Sequence, residues 1–271
     1  MAKPKLRRLD AELVRRKIVR SRTQAQEHIK EGHVYVGGMK ITKPASQVDG
    51  DVSIRLDVDP EDDWASRGAH KLLGVVEAFD IDFTGLRVMD AGASTGGFTD
   101  VCLREGAAEV CAIDVGYGLL AWRLQQDPRV IVHDRTNIRT ITPETIGMCD
   151  AMVGDLSFIS LELTLPPIVA CLKEGAFLLP MVKPQFEVGK ERLGSGGVVR
   201  SPELRAEVTT RIATFAQSLG LSLVAVAASP LPGPSGNVEY FLHLVKDGGA
   251  EAKTDSEISA MVEKAVAEGP Q

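Results

Sequence analysis

The spacing of apolar residues changes near residue 60, which divides the chain into two parts with different predicted elements. In the first part, helical and strand-like patterns are short and are separated by turns that contain glycine. The predicted elements are helices at 9–17 and 21–31 and strands at 33–36, 39–41 and 52–56. Ser21 stands where a helix N-cap is expected, and Gly32 stands where a helix ends. The first part is therefore expected to be a small α+β unit.

Beyond residue 64, apolar strand-like runs alternate with helical patterns. The predicted strands are 86–90, 109–114, 130–133, 151–155, 176–182, 223–228 and 238–245, with helices at 97–105 and 203–219. This alternation favours a mostly parallel sheet covered on both faces, and the adjacent last two strands suit an antiparallel edge. The fold class is expected to be α/β, with a Rossmann-like seven-stranded sheet. A helical pattern at 256–268 predicts a terminal helix.

Charge is divided unevenly between the two parts. The 271 residues include 31 Lys and Arg against 37 Asp and Glu, which gives a net charge of −6. Residues 1–48 nevertheless hold 12 basic and four acidic residues, so they carry +8 and the remainder carries −14. A basic head on an acidic body indicates that a polyanion binds the head. The candidate contacts are Arg7, Arg8, Arg15, Arg16, Lys17, Arg20, Arg22 and Lys30.

A glycine-rich segment, DAGASTGGFT at 90–99, follows a predicted strand and begins a predicted helix. Its glycines let backbone N–H groups approach a ligand closely, and the segment matches neither the GxGxxG nor the GxxxxGK[ST] pattern. Asp114 ends the next strand, where it can accept hydrogen bonds from both hydroxyls of a ribose. Asp134 ends the third strand, where an adenine amino group would need an acceptor. The loop is therefore expected to bind a ligand that contains a nucleoside.

Four charged residues stand in four separate motifs along the second part. They are Lys71 in SRGAHKL, Asp155 in GDLSF, Lys183 in VKPQFE and Glu239 in GNVEYF. Asp155 and Lys183 each follow an apolar strand, which places both at the same edge of the sheet as the glycine-rich loop. One such charge alone would be interpreted as a structural ion pair, but four together favour a catalytic site.

These motifs resemble a known family. The ordered set of four charges is similar to the K-D-K-E tetrad of FtsJ-type ribose 2′-O-methyltransferases. DAGASTGGFTD, GDLSFISL, VKPQFEVGK and PGPSGNVEYF resemble the TlyA proteins, and the basic head resembles an S4 domain. The resemblance covers essentially the whole chain. It implies an S4 RNA-binding domain before a methyltransferase sheet, and methylation of cytidine 2′-hydroxyls in 16S ribosomal RNA, 23S ribosomal RNA or both.

The resemblance also implies the cofactor, S-adenosylmethionine, and the residues that hold it. Asp114 would lie at its ribose and Asp134 at its adenine. The residues implied around the methionine moiety and the sulfonium are Asp90, Gly92, Ser94, Gly96, Gly97 and Phe98. No spacing of His, Asp or Glu requires a metal, and none is expected.

The four charges are also consistent with the chemistry that such a reaction needs. A ribose hydroxyl is a poor nucleophile at neutral pH, and a lysine whose pKa is lowered by burial and by a second cation can accept its proton. We expect Lys183 to have that role and Lys71 to supply the second cation. Asp155 and Glu239 are expected to orient the amines and the hydroxyl.

The predicted organisation has four parts. They are an S4-like domain at 1–59, a linker at 60–66, a methyltransferase domain at 67–246, and a linker with a helix at 247–271. Ribosomal RNA or a ribosomal subunit is the expected partner. The chain has no run of about 18 apolar residues and no secretory signal, so a cytoplasmic location without stable membrane association is expected.

Three alternative functions remain open from the sequence. A membrane-active haemolysin would need an apolar or amphipathic membrane segment, and the sequence shows none. An RNA-binding ribosome-assembly factor with a non-catalytic methyltransferase fold would not need an intact loop and tetrad. A methyltransferase that acts on small molecules would have little use for a cationic head.

Overall fold

The computed structural model describes residues 6–19, 21–57, 63–233 and 235–270. The chain forms two compact units, residues 1–63 and residues 64–271, and each has its own apolar core. The division falls inside the predicted linker at 60–66, of which residues 60–62 lie outside the described part.

The first unit is built from short elements. Its helices are α1 (Leu9–Arg15) and α2 (Arg22–Lys30), and its strands are β1 (Arg7–Arg8), β2 (Val34–Val36), β3 (Met39–Lys40), β4 (Gln47–Val48) and β5 (Ile54–Leu56). Strand β2 pairs with β3 and β5, and β1 pairs with β4. The Ser21 hydroxyl accepts a hydrogen bond from the Gln24 amide and so begins α2, as its sequence position predicts. Leu9, Leu13 and Ile29 are fully buried and pack the two helices together.

The second unit alternates strands and helices. Its strands are β6 (Arg87–Ala91), β7 (Glu109–Ile113), β8 (Val130–His133), β9 (Cys149–Gly154), β10 (Leu172–Val182), β11 (Leu221–Ala228) and β12 (Tyr240–Lys246). Its helices are α3 (Ala69–Phe79), α4 (Gly97–Arg104), α5 (Trp122–Gln125), α6 (Pro143–Ile146), α7 (Leu161–Ala170), α8 (Pro184–Glu187), α9 (Pro202–Ser218) and α10 (Asp255–Glu268). The predicted terminal helix is confirmed as α10.

The seven strands of this unit form one sheet in the order β11-β12-β10-β9-β6-β7-β8. Strands β10, β9, β6, β7 and β8 are parallel, whereas β12 is antiparallel to both β10 and β11. The predicted α/β sheet with an antiparallel edge is therefore confirmed. Because five strands run in the same direction, their carboxyl ends meet at one edge, where ligands bind in such folds.

Apolar clusters on both faces hold the sheet between its helices. Val88 and Met89, neighbours on β6, belong to different clusters because successive side chains of a strand point to opposite faces. Ile212 of α9 and Val262 of α10 are fully buried in the cluster that contains Met89. The terminal helix is therefore an integral part of the second unit.

Several elements were not predicted. Helices α3 and α7 have no counterpart among the predicted elements, and β10 begins at Leu172, four residues before its predicted start. Helix α7 contains Pro166 and Pro167, which normally indicate the end of a helix. Tertiary packing stabilises α7 nevertheless, because Leu165 and Ile168 are fully buried.

Candidate active site and RNA-binding face

The acidic residues predicted to bind the cofactor follow adjacent parallel strands. Ala91 of β6 pairs with Ile113 of β7, and Ile113 pairs with His133 of β8. Asp114 and Asp134 are the next residues of β7 and β8, so both lie at the carboxyl edge. On the other side of β6, Ala91 pairs with Gly154 of β9, so Asp155 reaches the same edge.

The glycine-rich loop begins with a completely buried carboxyl group, that of Asp90. Thr99 donates a 2.6 Å hydrogen bond to its Oδ2, whereas its Oδ1 is buried without a partner among the described residues. Burial raises the pKa of Asp90 to about 7, and the hydrogen bond from Thr99 opposes that rise. A buried acceptor without a donor is costly, so Oδ1 is suited to a ligand that donates a hydrogen bond.

The backbone of the loop has the shape that its glycines permit. Gly92 has φ +85°, and a Cβ on it would lie 3.1 Å from the carbonyl oxygen of Asp155. Gly96 has φ +95° and is the N-cap of α4. A cavity of about 100 Å³ lies between the loop and Asp155. Gly92 therefore keeps a side chain out of this cavity, whereas a Cβ on Gly96 would meet the packed side chains of Leu120 and Leu124.

The other predicted cofactor residues have different environments. Ser94, Gly97 and Phe98 line the cavity, and Ser94 has the left-handed φ of +48°. The ring of Phe98 is nonetheless largely buried and packs 6.0 Å from that of Phe241, so it is mainly a core residue. A Cβ on Gly97 would approach the Ala69 amide to 3.0 Å, so this glycine allows α4 to pack closely against the start of α3.

The carboxylates at the second and third strand ends accept hydrogen bonds from nearby backbone amides. Asp114 accepts a 2.8 Å bond from the Ser94 amide and a 2.7 Å bond from the Gly116 amide. Asp134 accepts a 3.0 Å bond from the Gly118 amide. Each carboxylate oxygen has a second lone pair, so both groups can shape the loop and still accept from a ligand.

The four charged residues form two ion pairs at this edge. Lys71 Nζ lies 2.6 Å from Glu239 Oε2, and Lys183 Nζ lies 2.5 Å from Asp155 Oδ1. The lysines are 8% and 7% exposed, and Glu239 is 1% exposed. Val182 of β10 pairs with Tyr240 of β12. Lys183 comes directly after Val182 and Glu239 directly before Tyr240, so both lie at the same end of this strand pair. The structure thus brings the residues of each pair together across elements far apart in sequence.

Three further residues complete this arrangement. The ammonium of Lys183 donates a 2.7 Å hydrogen bond to Ser157 Oγ, and Gln185 Nε2 donates a 3.1 Å bond to Glu239 Oε1. The ring of Phe158 is 89% exposed, has a left-handed φ of +64°, and lies 5.0 Å from the ring of Phe186. None of these residues was predicted as part of the site, although Ser157 and Phe158 belong to the GDLSF motif and Gln185 to VKPQFE.

The predicted RNA-binding arginines surround two buried carboxylates, Asp10 and Glu12. Both residues are fully buried. Arg8 and Arg22 lie 2.8 and 3.0 Å from Asp10, and Arg15 lies 2.6 Å from Glu12. The hydrogen bond from Arg15 lowers the pKa of Glu12 to about 2. The hydrogen bond from Arg8 holds the pKa of Asp10 well below its usual range.

Some of the other cations of the basic head make contacts within the first unit, and others are exposed to solvent. Arg16 contacts Glu12 at 2.8 Å and donates a 2.6 Å hydrogen bond to the Val52 carbonyl, so its guanidinium stabilises the unit from within. Arg7 lies 3.4 Å from Glu12. Lys17 and Lys30 are exposed. Arg20 lies outside the described residues.

Among the residues that the structure describes, no helix combines the length and apolar character needed to cross a membrane.

Comparisons with known proteins agree with this architecture. A model of the FtsJ-like methyltransferase family matches residues 64–246, and a model of the S4 domain matches residues 7–54. The chain is 54% identical over 269 residues to the 16S/23S rRNA (cytidine-2′-O)-methyltransferase TlyA of Mycobacterium tuberculosis, which covers 97% of this chain and 98% of that protein. It is 34% identical over 228 residues to Hemolysin A of Brachyspira hyodysenteriae, covering 83% and 94% of the two chains.

A solved structure extends the similarity to three dimensions. A protein of Streptococcus thermophilus, named as a candidate hemolysin, matches with a TM-score of 0.75 and 34% identity over 98% of both chains. The chain therefore belongs to the FtsJ-like methyltransferase family and, within it, to the TlyA proteins, which carry an S4 domain in front of the methyltransferase sheet.

Proposed function

We infer that this protein transfers a methyl group from S-adenosylmethionine to the 2′-oxygen of a cytidine in ribosomal RNA. The observation that supports this most strongly is the arrangement of two lysine–carboxylate pairs, each with a buried lysine, beside a glycine-rich loop at the carboxyl edge of the sheet. Its similarity to the M. tuberculosis enzyme supports the same substrate. A ribosomal RNA substrate would in turn place the protein in the cytoplasm, with a ribosomal subunit as its partner.

The residues of the loop fit S-adenosylmethionine. The orphaned Oδ1 of Asp90 can accept from the amino group of a methionine moiety, and Gly92 leaves space beside the Asp155 carbonyl. Asp114 and Asp134 lie at the adjacent strand ends, where the ribose and the adenine would need acceptors. When bound, the cofactor supplies an electrophilic methyl group on a sulfonium.

Lys183 is the proposed general base. Its amine, in the neutral form, would accept the proton of the 2′-hydroxyl, and the ammonium that results would be stabilised by Asp155 at 2.5 Å and Ser157 at 2.7 Å. The Lys71–Glu239 pair, with Gln185 on the second carboxylate oxygen, would orient the hydroxyl. Holding the hydroxyl in line with the methyl group supplies much of the rate enhancement.

The side chain of Phe158 suits an RNA substrate. Its exposed ring stands beside Phe186, and the Lys183 ammonium lies 5.8 Å from the centre of the Phe186 ring. An exposed aromatic face next to the proposed base can stack on an unpaired nucleobase. The first unit would supply phosphate contacts from its exposed cations, which include Lys17 and Lys30.

The test of this function is methyl transfer to isolated 16S and 23S ribosomal RNA and to the two ribosomal subunits. We expect labelled methyl groups to appear in at least one of these substrates and to be lost in the Lys183→Ala variant. Leakage of dye from liposomes exposed to the protein tests the haemolysin alternative, which is suggested by the names of relatives such as Hemolysin A of Brachyspira hyodysenteriae. Leakage without RNA methylation would reject the proposal.

A further inference from the structure

We propose that the first unit contains a transition-metal site, formed by His28, Glu31 and His33, that takes Zn²⁺ or a similar divalent ion. One ligand atom from each of these residues lies within 4.8 Å of the others. The spacing of these residues in the sequence does not indicate a ligand set, because the three are brought together by the way in which α2 ends. This site is separate from the proposed reaction and does not depend on it.

The end of α2 folds back on itself through a pair of hydrogen bonds. The amide of His33 donates to the carbonyl of His28 at 2.9 Å, and the amide of Gly32 donates to the carbonyl of Ile29 at 3.1 Å. Gly32 has φ +81°, which reverses the chain direction at the helix end. This is a Schellman motif, and it fixes His28 and His33 on either side of Glu31. The backbone therefore holds the three donors together without a metal.

The imidazole nitrogens are the observation that points to a ligand. Both ring nitrogens of His28 and Nδ1 of His33 are buried and have no hydrogen-bond partner among the residues that the structure describes. The nearest charged atom to His33 Nδ1 is Glu31 Oε2 at 3.7 Å, too far for a hydrogen bond. The rings lie 6.0 Å apart, centre to centre. Buried nitrogens without partners are costly, and a metal ion would satisfy one on each ring.

Two imidazoles and one carboxylate are a donor set that Zn²⁺ uses, with a water or another ligand in the fourth position. Tetrahedral Zn²⁺ with bonds of about 2.0–2.1 Å needs ligand atoms about 3.3 Å apart, so atoms that now lie within 4.8 Å of one another must approach by at most about 1.5 Å. Glu31 and His33 can make this movement because their side chains are 44% and 40% exposed. The bound ion would tie the end of α2 to the start of β2.

Full-length protein stripped of metal with a chelator and titrated with ZnCl₂ in a calorimeter tests the site. We expect the wild-type protein to bind one more Zn²⁺ than the His28→Ala, His33→Ala double variant. Replacing His70, an exposed histidine of the second unit, with alanine is the matched control and is expected to leave that binding unchanged. The same ion should raise the thermal midpoint of the wild-type protein and not that of the double variant.

The Glu31→Gln variant keeps the test decisive if the double variant fails to fold, because this side chain is partly exposed. Loss of a residue that only supports a metal ligand typically weakens metal binding by about tenfold or more. We expect this variant, which loses a ligand itself, to weaken Zn²⁺ binding by at least that factor. Equal uptake of Zn²⁺ by the wild-type protein and by the folded Glu31→Gln variant would overturn the proposal. So would the absence of Zn²⁺ binding by the wild-type protein.

Discussion

Replacing Lys183 with alanine should nearly abolish methyl transfer while leaving the cofactor and RNA bound. The ammonium of Lys183 contacts Asp155 and Ser157 and is 7% exposed, and alanine supplies no group that could accept a proton in its place. Loss of a general base typically lowers the rate by about 10²–10⁴-fold. Because the proposed interaction strengthens only in the transition state, kcat and kcat/KM should fall together, with little change in KM.

The variant should also cost stability, and this cost must be separated from the catalytic effect. Removal of one partner of a fully buried pair costs about 3–5 kcal/mol, but the Asp155 side chain is 27% exposed and can be hydrated. A loss of about 1–2 kcal/mol of stability is therefore expected, which lies between the cost of breaking a fully buried pair and the cost of breaking a surface pair. Lys173→Ala is the matched control, because Lys173 lies on β10, the strand that Lys183 directly follows, and pairs with Asp150 at 2.6 Å with half its side chain exposed.

Single-turnover methylation with saturating RNA and cofactor is the appropriate assay. The Lys173→Ala variant should retain the wild-type rate and lose at most about 1 kcal/mol of stability. Lys183→Arg should restore little activity, since a guanidinium keeps its proton at all usual pH values. A folded Lys183→Ala variant with more than about a tenth of the wild-type rate would refute the assignment of the base, and Lys71 would then be the candidate.

Three further outcomes follow from the structure. Asp114→Ala should weaken S-adenosylmethionine binding by about 1.5–3 kcal/mol in calorimetry, and an unchanged dissociation constant would reject its role. Gly96→Ala should lower the free energy of unfolding by about 2 kcal/mol or more, because φ is +95° and a Cβ would clash with packed leucines; an unchanged denaturation midpoint would contradict this. Glu12 has a pKa lowered from 4.5 to about 2 by Arg15, so its stabilisation is present above pH 4.5 and lost as the pH falls toward 2. Acid titration of unfolding should show this loss, and the Glu12→Gln variant should lack it.

Much of the fold could be predicted because apolar runs and their ends carry strong local signals. The strands around the glycine-rich loop were predicted to within about two residues at either end, since each is a short apolar run that ends in a turn or an aspartate. Helix α7 escaped prediction because its Pro166–Pro167 pair contradicts helix formation locally, whereas burial of its apolar side chains, a tertiary effect, stabilises it.

The sequence indicated which charged residues share the carboxyl edge of the sheet, but not how they pair. The sequence indicated that Lys183 and Asp155 share an edge, because both follow strands. It could not indicate that Glu239 lies beside Lys71, since that contact joins residues 168 positions apart. Likewise, the basic head was interpreted as a surface for RNA. Its local pattern does not indicate that Glu12 is buried and holds several of the arginines in place.

Nucleoside analysis of the methylated RNA tests the central claim most directly. Ribosomal RNA that lacks the modification is incubated with the protein and S-adenosylmethionine, digested to nucleosides and examined by mass spectrometry. We predict that 2′-O-methylcytidine appears with the wild-type protein and is absent with Lys183→Ala. A methyl group on a base, on another nucleoside, or on no RNA nucleoside at all would contradict the account.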